Sequence, residues 1–76
     1  MKISKNDLIS YETEVDMPVW KDGKPITPKT ICYDKDKKQF VLKVIETNEI
    51  EYSYDKLEDL VKLTNKLYDY DDEVVD

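Results

Sequence analysis

The stretch TICYDKDKKQFVLKVI, residues 30–45, decides the fold of this chain. Its apolar side chains alternate on either side of a polar reversal at residues 34–38, with Ile31 and Tyr33 before it and Phe40, Leu42 and Val44 after it. Alternation with a period of two is typical of β-strands. The stretch therefore predicts a β-hairpin. Val41 and Ile45 make the second face of the returning strand apolar as well, which predicts a central strand covered on both sides.

Two further segments flank this hairpin. Upstream, VWKDGKPI (residues 19–26) places Asp22 and Gly23 between short apolar segments, which predicts a type I′ hairpin turn. Pro25 has no N–H to donate, so the second arm of that hairpin should be short. Downstream, NEIEYSY (residues 48–54) alternates apolar and polar side chains, as a strand with one solvent-facing side does. We predict strands at about residues 18–21, 24–27, 30–34, 39–46 and 49–54.

The amino-terminal DLISYETEV, residues 7–15, fits two structures. Ile9, Tyr11 and Val15 fit the period of a strand, whereas Leu8, Tyr11 and Val15 fit a short helix that begins after Ser4. β-Branched residues and the following Pro18 favour the strand, which we place at about residues 8–15.

The segment DKLEDLVKLTNKLYDY, residues 55–70, predicts a helix. Asp55 is the expected N-cap, and Glu58 three residues later completes an aspartate variant of the capping box. The core-facing residues recur at helical spacing: Leu57, Leu60, Val61, Thr64, Leu67 and Tyr68. We predict the helix at about residues 56–70, with continuation to residue 75 left open. The fold class is α+β, a small antiparallel β-meander of four or five strands with one C-terminal helix packed on one face, in a single domain of residues 1–76.

Composition excludes several kinds of chemistry. The 76 residues include no histidine, one glycine and one cysteine, Cys32. Without histidine there is no histidine general base and no histidine metal site, and a lone glycine cannot form a phosphate-binding loop. Cys32 has no partner for a disulfide and fits a small apolar side chain better than a nucleophile. We expect no enzymatic activity, no catalytic residue, no cofactor and no metal.

Composition also bears on origin and location. The chain lacks alanine and arginine and is rich in lysine, isoleucine, tyrosine and aspartate, a mixture that AT-rich codons favour. We infer a low-GC genome and a phage or mobile-element accessory protein. No apolar run is long enough for a membrane span or a signal peptide, so we expect no membrane association and a cytoplasmic location, in the host cell if the protein is phage-borne.

Charge is distributed unevenly along the chain. The formal net charge is −6, yet residues 21–45 carry seven lysines against three acids, and residues 46–76 carry eleven acids against three lysines. The basic reversal, with Lys35, Lys37 and Lys38 near aromatic residues, raises single-stranded nucleic-acid binding as a hypothesis. Asp34 and Asp36 interrupt it and the whole chain repels polyanions, so direct nucleic-acid binding is disfavoured.

The acidic end has three interpretations. If the helix continues, the acids Asp69, Asp72, Glu73 and Asp76 fall at i, i+3, i+4 and i+7, with Glu58 on the same side of the helix. Their charge density along the axis, four carboxylates in about 10 Å, would then be comparable with that of DNA phosphates. The alternatives are the solvated face of an ordinary amphipathic helix or a frayed tail.

Apolar residues offer two possible contact surfaces. Continued helix would place Leu63, Leu67, Tyr70 and Val74 in a second apolar stripe. Trp20 and Tyr11 lie beside turn residues, where they could anchor a partner or belong to the core, and the small size of the chain favours the core.

These features support one leading hypothesis and two alternatives. The leading hypothesis is a non-enzymatic acidic protein that inhibits a host nucleic-acid-binding, defence-type protein through a face that mimics nucleic acid. The first alternative is a structural module that self-associates, for example as a homodimer, through the apolar helix stripe. The second is weak binding of single-stranded nucleic acid.

Overall fold

The computed structural model describes residues 2–18 and 20–75. Over those residues the chain forms two helices and eight strands. In chain order they are β1 (Lys2–Ser4), α1 (Lys5–Tyr11), β2 (Val15–Met17), β3 (Trp20–Lys21), β4 (Lys24–Pro25), β5 (Lys29–Asp34), β6 (Gln39–Val44), β7 (Ile50–Tyr54), α2 (Leu57–Tyr68) and β8 (Glu73–Val75). The fold class is α+β as predicted, with an antiparallel four-stranded sheet and α2 packed against it.

The predicted hairpin of residues 30–45 is the centre of this sheet. The strand order is β2-β5-β6-β7, and the register pairs Ile31 with Leu42 and Tyr33 with Phe40. β6 has a neighbour on each side, as the sequence predicts. Val41 on its second face is buried, but Ile45 is exposed because β6 ends at Val44 rather than at residue 46.

The core lies between the sheet and α2. Sheet residues Ile31, Phe40 and Leu42 pack with the helix residues predicted to face them, of which Leu57, Leu60, Val61 and Thr64 are buried. Each fully buried large apolar side chain contributes roughly 1.5–3 kcal/mol relative to exposure. Leu67 and Tyr68 are only half-buried, since they lie in the last turn of the helix.

The predicted start of α2 is wrong by one residue. Lys56, not Asp55, occupies the N-cap position, and no side-chain hydrogen bond caps the helix there. Gln39 Nε2 donates to Asp55 Oδ1 at 3.0 Å, so the Asp55 carboxylate binds a side chain of β6 instead of the first N–H groups of the helix. The predicted capping box with Glu58 is therefore absent.

The strand predicted at residues 8–15 is also wrong. Residues 5–11 form α1, with Ser4 at its N-cap position, and only residues from Val15 onward enter the sheet. The helix places Leu8 in the core, 1% exposed, and ends at Tyr11, after which the C-cap residue Glu12 has a left-handed backbone with φ 53°. Burial of Leu8 outweighs the weak strand propensity of the segment.

The sequence left open whether α2 continues to residue 75, and in the structure it does not. The helix ends at Tyr68, and Asp69 at the C-cap has a left-handed backbone with φ 55°. The chain then reverses, and β8 pairs in parallel with β1, where Ile3 lies opposite Val74. Ile3 is 1% exposed, so the amino-terminal strand and the chain's acidic end are held together by core packing.

The predicted type of turn at Asp22 and Gly23 is confirmed. Both residues have positive φ, 53° and 75°, and the arms are two residues each, with Trp20 opposite Pro25. The hairpin forms a separate two-stranded sheet instead of extending the central one. In the described part of the chain, neither helix has the length and apolar character of a membrane span.

Candidate functional site

A groove lies where the β3–β4 hairpin meets the end of α2. Its volume is about 500 Å³, and it is lined by Pro18, Trp20, Asp69, Tyr70, Asp71 and Asp72. We call it the Trp20 groove. Trp20 and the acidic segment are far apart in sequence, and the contact between β3 and α2 brings them together.

Trp20 supplies the apolar wall of the groove. It lies on the short first arm of the hairpin, and 50% of its surface is exposed. The core position favoured for it from the sequence is therefore wrong, as it is for Tyr11, which is 71% exposed. A half-exposed tryptophan in a concave surface is typical of the anchor residues of protein interfaces.

The left-handed backbone conformation of Asp69 ends α2 and sets the course of the residues that follow. After it, Tyr70 is 5% exposed and packs with the core, whereas Asp69 and Asp71 on either side are exposed. Their carboxylates lie beyond the last turn of α2, where the unpaired carbonyl groups of a helix give a negative potential. The groove therefore combines an apolar wall with a concentrated negative rim.

Hydrogen bonds fix the floor of the groove. The Tyr70 hydroxyl donates to Asp72 Oδ2, and Asn65 Nδ2 donates to the Asp72 backbone carbonyl at 3.1 Å. Burial raises the pKa of Tyr70 far above its ordinary range, and the hydrogen bond and negative charge of Asp72 add to this effect. Tyr70 is thus a neutral donor at physiological pH, and Asp72, 7% exposed, is a structural residue of the groove.

The predicted acidic face is divided by the end of the helix. Glu58 and Glu73 are exposed and line a second, more open groove beside α2 together with Asp72, which lines both grooves. Asp69 belongs to the Trp20 groove, and Asp76 lies outside the described residues. Among the described residues, the regular array of carboxylates that a longer helix would form is absent, because the chain after Tyr68 is not helical.

The predicted apolar stripe is divided for the same reason. Leu63 and Leu67 remain on α2 and are half-buried. Tyr70 and Val74 have left the helix and pack against the core cluster. What remains of the stripe is a pair of leucines.

The basic reversal offers no aromatic platform. Phe40 is 1% exposed, and its ring meets that of Tyr33 edge to face, with centroids 5.0 Å apart. Asp34 Oδ1 accepts the backbone N–H groups of Asp36 and Lys37 at 2.9 and 3.2 Å, so this acid organises the turn. Base stacking beside the lysines would require exposed aromatic rings, whereas Phe40 is buried in the core and Tyr33 is partly buried against it.

Other chemistry-bearing residues have structural surroundings. Cys32 is half-buried, and this burial raises the pKa of its thiol, although the positive charge of Lys43 acts in the opposite direction. The thiol is therefore protonated at neutral pH. Within residues 2–18 and 20–75, no group of three cysteine, aspartate or glutamate side chains has the geometry to hold a metal ion.

Sequence reasoning missed a buried cation. Lys29, at the start of β5, is 5% exposed, and its Nζ lies 2.6 Å from Glu51 Oε1 and 5.2 Å from the centroid of the Tyr68 ring. Glu51 reaches it because the register of β6 and β7 shifts between Leu42 and Lys43. Burial raises the pKa of Tyr68, and the negative charge of Glu51 raises it further. No local sequence pattern marks this cluster.

Comparisons with known proteins give no match: no family model, no curated protein and no solved structure is similar to this chain. The Trp20 groove therefore has to be interpreted from its own chemistry.

Proposed function

We propose that this chain is a non-enzymatic binding protein that engages a basic surface of a larger protein through the Trp20 groove. The observation that carries the proposal is the position of a half-exposed tryptophan beside Asp69 and Asp71 in one concave surface. Tryptophan is enriched among the few residues that contribute most of the binding energy at protein interfaces.

The charge of the chain supports the same partner class. A formal net charge of −6 attracts a cationic surface at long range and raises the rate of encounter at low salt. After contact, the apolar wall of the groove supplies the short-range interaction that charge alone does not give. The partner should accordingly be a protein with a lysine- or arginine-rich surface.

Nucleic-acid-binding proteins are the partner class we propose, since they present such surfaces to phosphate groups. Occupation of that surface by an acidic protein would inhibit nucleic-acid binding. The composition of the chain supports a phage or mobile-element source with a host protein as the target. Because the acidic face is divided, the hypothesis changes: the acids of one groove would compete with nucleic acid for the basic surface. They would not reproduce the spacing of phosphates along a helix.

The test is affinity capture with three forms of the protein. The wild type, the groove variant Asp69→Asn/Asp71→Asn and the control variant Asp36→Asn/Asp59→Asn are immobilised and exposed to lysate of a low-GC bacterium at low and high salt. Asp59 is exposed and lies ten residues before Asp69, about 15 Å along α2, and both variants lose the same charge. We expect a basic, nucleic-acid-binding protein on the wild type and the control, lost from the groove variant and weakened by salt.

Two results would contradict the proposal. One is capture that the groove variant retains in full, and the other is the absence of any basic protein that distinguishes the variants.

Sedimentation equilibrium tests the self-association alternative. A dimer that Leu67→Asp dissociates would support the remaining leucine pair as the contact.

A further inference from the structure

The chemistry of the Trp20 groove distinguishes between the two basic side chains of proteins, and we propose that it binds an arginine side chain of the partner in preference to lysine. This inference rests on the proposed function, because it names the group with which a basic partner would occupy the same groove. It is carried by the juxtaposition, in one groove, of a half-exposed tryptophan and two exposed aspartates.

The indole offers a surface for a planar cation. Trp20 is half-exposed, and its strand is held opposite Pro25 by the tight Asp22–Gly23 turn. A cation within about 6 Å of an indole centroid is attracted to the face of the ring. A guanidinium group can stack flat on this face and still direct its N–H groups outward, whereas an ammonium group acts as a point charge.

The two carboxylates supply acceptors at the rim. Asp69 and Asp71 flank the buried Tyr70, so both remain on the solvent side of the groove. A carboxylate accepts two parallel hydrogen bonds from one guanidinium group, a geometry that lysine cannot offer. The negative end of α2 adds to the attraction at the same place.

The groove needs little rearrangement to bind. The hydrogen bonds of Tyr70 and Asn65 to Asp72 hold the segment that carries both rim acids. A pre-organised site loses less conformational entropy on binding, and more of the contact energy appears as affinity.

Charge complementarity separates this occupant from others. An apolar partner segment would cover Asp69 and Asp71 without a hydrogen-bond donor, which costs free energy for each carboxylate removed from water. A nucleic acid would bring phosphates to the same rim and be repelled. A basic side chain with a flat face satisfies both the indole and the acids.

Trp20 is the one tryptophan of the chain, so its fluorescence reports directly on the groove. The experiment titrates the full chain at low salt with three capped peptides that are identical except at spaced positions holding arginine, lysine or the neutral isostere citrulline. The variants are Asp69→Asn/Asp71→Asn, the control Asp36→Asn/Asp59→Asn and Trp20→Leu, the last measured by calorimetry. Circular dichroism checks that each variant is folded.

We expect the arginine peptide to bind about tenfold more tightly than the lysine peptide, and the citrulline peptide to leave the Trp20 emission unchanged. The groove variant and Trp20→Leu should each remove the preference for arginine, and the control should keep it. Equal affinity for arginine and lysine, or a preference that survives both substitutions, would overturn the inference. If a basic protein is still captured but arginine and lysine peptides bind equally, the proposed function stands and this inference fails. If the arginine peptide is preferred but no partner is captured, the inference about the groove stands and the proposed function fails.

Discussion

The two sequential hairpins of this chain contrast in their roles. The β5–β6 hairpin lies in the middle of the central sheet, and its residues Ile31 and Leu42 have no exposed surface. The β3–β4 hairpin has arms of two residues, stands apart as its own small sheet and leaves Trp20 half-exposed. Both were recognisable from turn residues and apolar neighbours.

The difference lies in what the apolar residues contact. β5 and β6 are six residues long, which is enough to align several apolar side chains against α2. These side chains form the core. The shorter hairpin can bury little of its own surface, so Trp20 remains half-exposed. Strand length and the packing of neighbouring elements, rather than hydrophobicity, determine whether a hairpin forms the core or leaves its aromatic residue exposed.

Removing a core side chain of the β5–β6 hairpin should have the largest effect on stability. Leu42→Ala should lower the free energy of unfolding by about 2–5 kcal/mol, because it removes apolar contacts and leaves a cavity. Urea unfolding followed by circular dichroism measures the loss, with Leu42→Met as a control that conserves volume and costs less than about 1.5 kcal/mol. A loss below about 1 kcal/mol would show that this hairpin is not the close-packed centre.

The two hairpins also carry lysines in opposite surroundings. Lys29→Met should cost about 1–3 kcal/mol, since it removes a buried ion pair and a cation–π contact while Glu51 keeps some access to water. Lys21→Met on exposed β3 is the matched control and should change stability by less than about 0.5 kcal/mol. Equal effects of the two substitutions in urea unfolding would contradict the structural role of Lys29.

Tyr70 gives a pH-dependent test of the boundary between core and groove. Its pKa is raised in the folded chain above the ordinary value of 10.0, so the unfolded chain loses this proton first as pH rises. The stabilisation is complete below pH 10 and decreases above it, by at most about 1.4 kcal/mol per pH unit. Tyr70→Phe should remove this part of the alkaline decrease and cost about 1 kcal/mol at pH 7 through the lost bond to Asp72.

Urea unfolding at several pH values measures this difference, with Tyr11→Phe as the exposed control. Above pH 10, Tyr70→Phe should lose stability less steeply than the wild type. An identical alkaline slope for Tyr70→Phe would mean that the hydroxyl is not buried beside Asp72.

A substitution on the β3–β4 hairpin should lower the free energy of unfolding by less than a substitution in the core. Trp20→Ala removes a side chain that is already half in water, so the loss in unfolding free energy should be about 1 kcal/mol. The same urea assay tests this value against Leu42→Ala. A cost equal to that of Leu42→Ala would place Trp20 in the core and remove the basis of the groove.

The turns of the two hairpins should respond with opposite signs. Gly23 has φ 75°, and an added Cβ would have no other described heavy atom within 4 Å, so Gly23→Ala should cost about 1 kcal/mol from backbone strain alone. Lys38 in the β5–β6 turn has φ 56° with a side chain present, and Lys38→Gly should stabilise by about 0.5 kcal/mol. Thermal unfolding of both variants checks the signs, and a shift in the same direction for both would contradict this account.

The predictable part of the fold is the part with regular local signals. Alternation over residues 30–54, the Asp22–Gly23 turn and the helical spacing of Leu57, Leu60 and Val61 each indicated the observed element. The amino-terminal segment was not predictable, because its residues fit two periods and only the burial of Leu8 favours the helix. The N-cap was missed because a distant residue, Gln39, binds Asp55.

The candidate site was predictable in its ingredients and not in its assembly. Trp20 and Asp69 were both recognised as possible contact residues, but separately and for different surfaces. Asp71 was not recognised, because on a continued helix it falls outside the acidic face. No signal in the sequence indicated that Asp72 is buried and holds the floor of the groove.

The sequence by itself determined the fold class, the central hairpin, the C-terminal helix and the excess of negative charge near the end of the chain. These follow from local patterns, because period, turn residues and charge act between neighbours along the chain. Only the tertiary structure decided where α2 ends, which acids are exposed and that Trp20 lies beside them. β8 pairs with β1, and Tyr70 packs in the same core cluster as Ile3, so these contacts join residues at opposite ends of the chain that no local pattern relates.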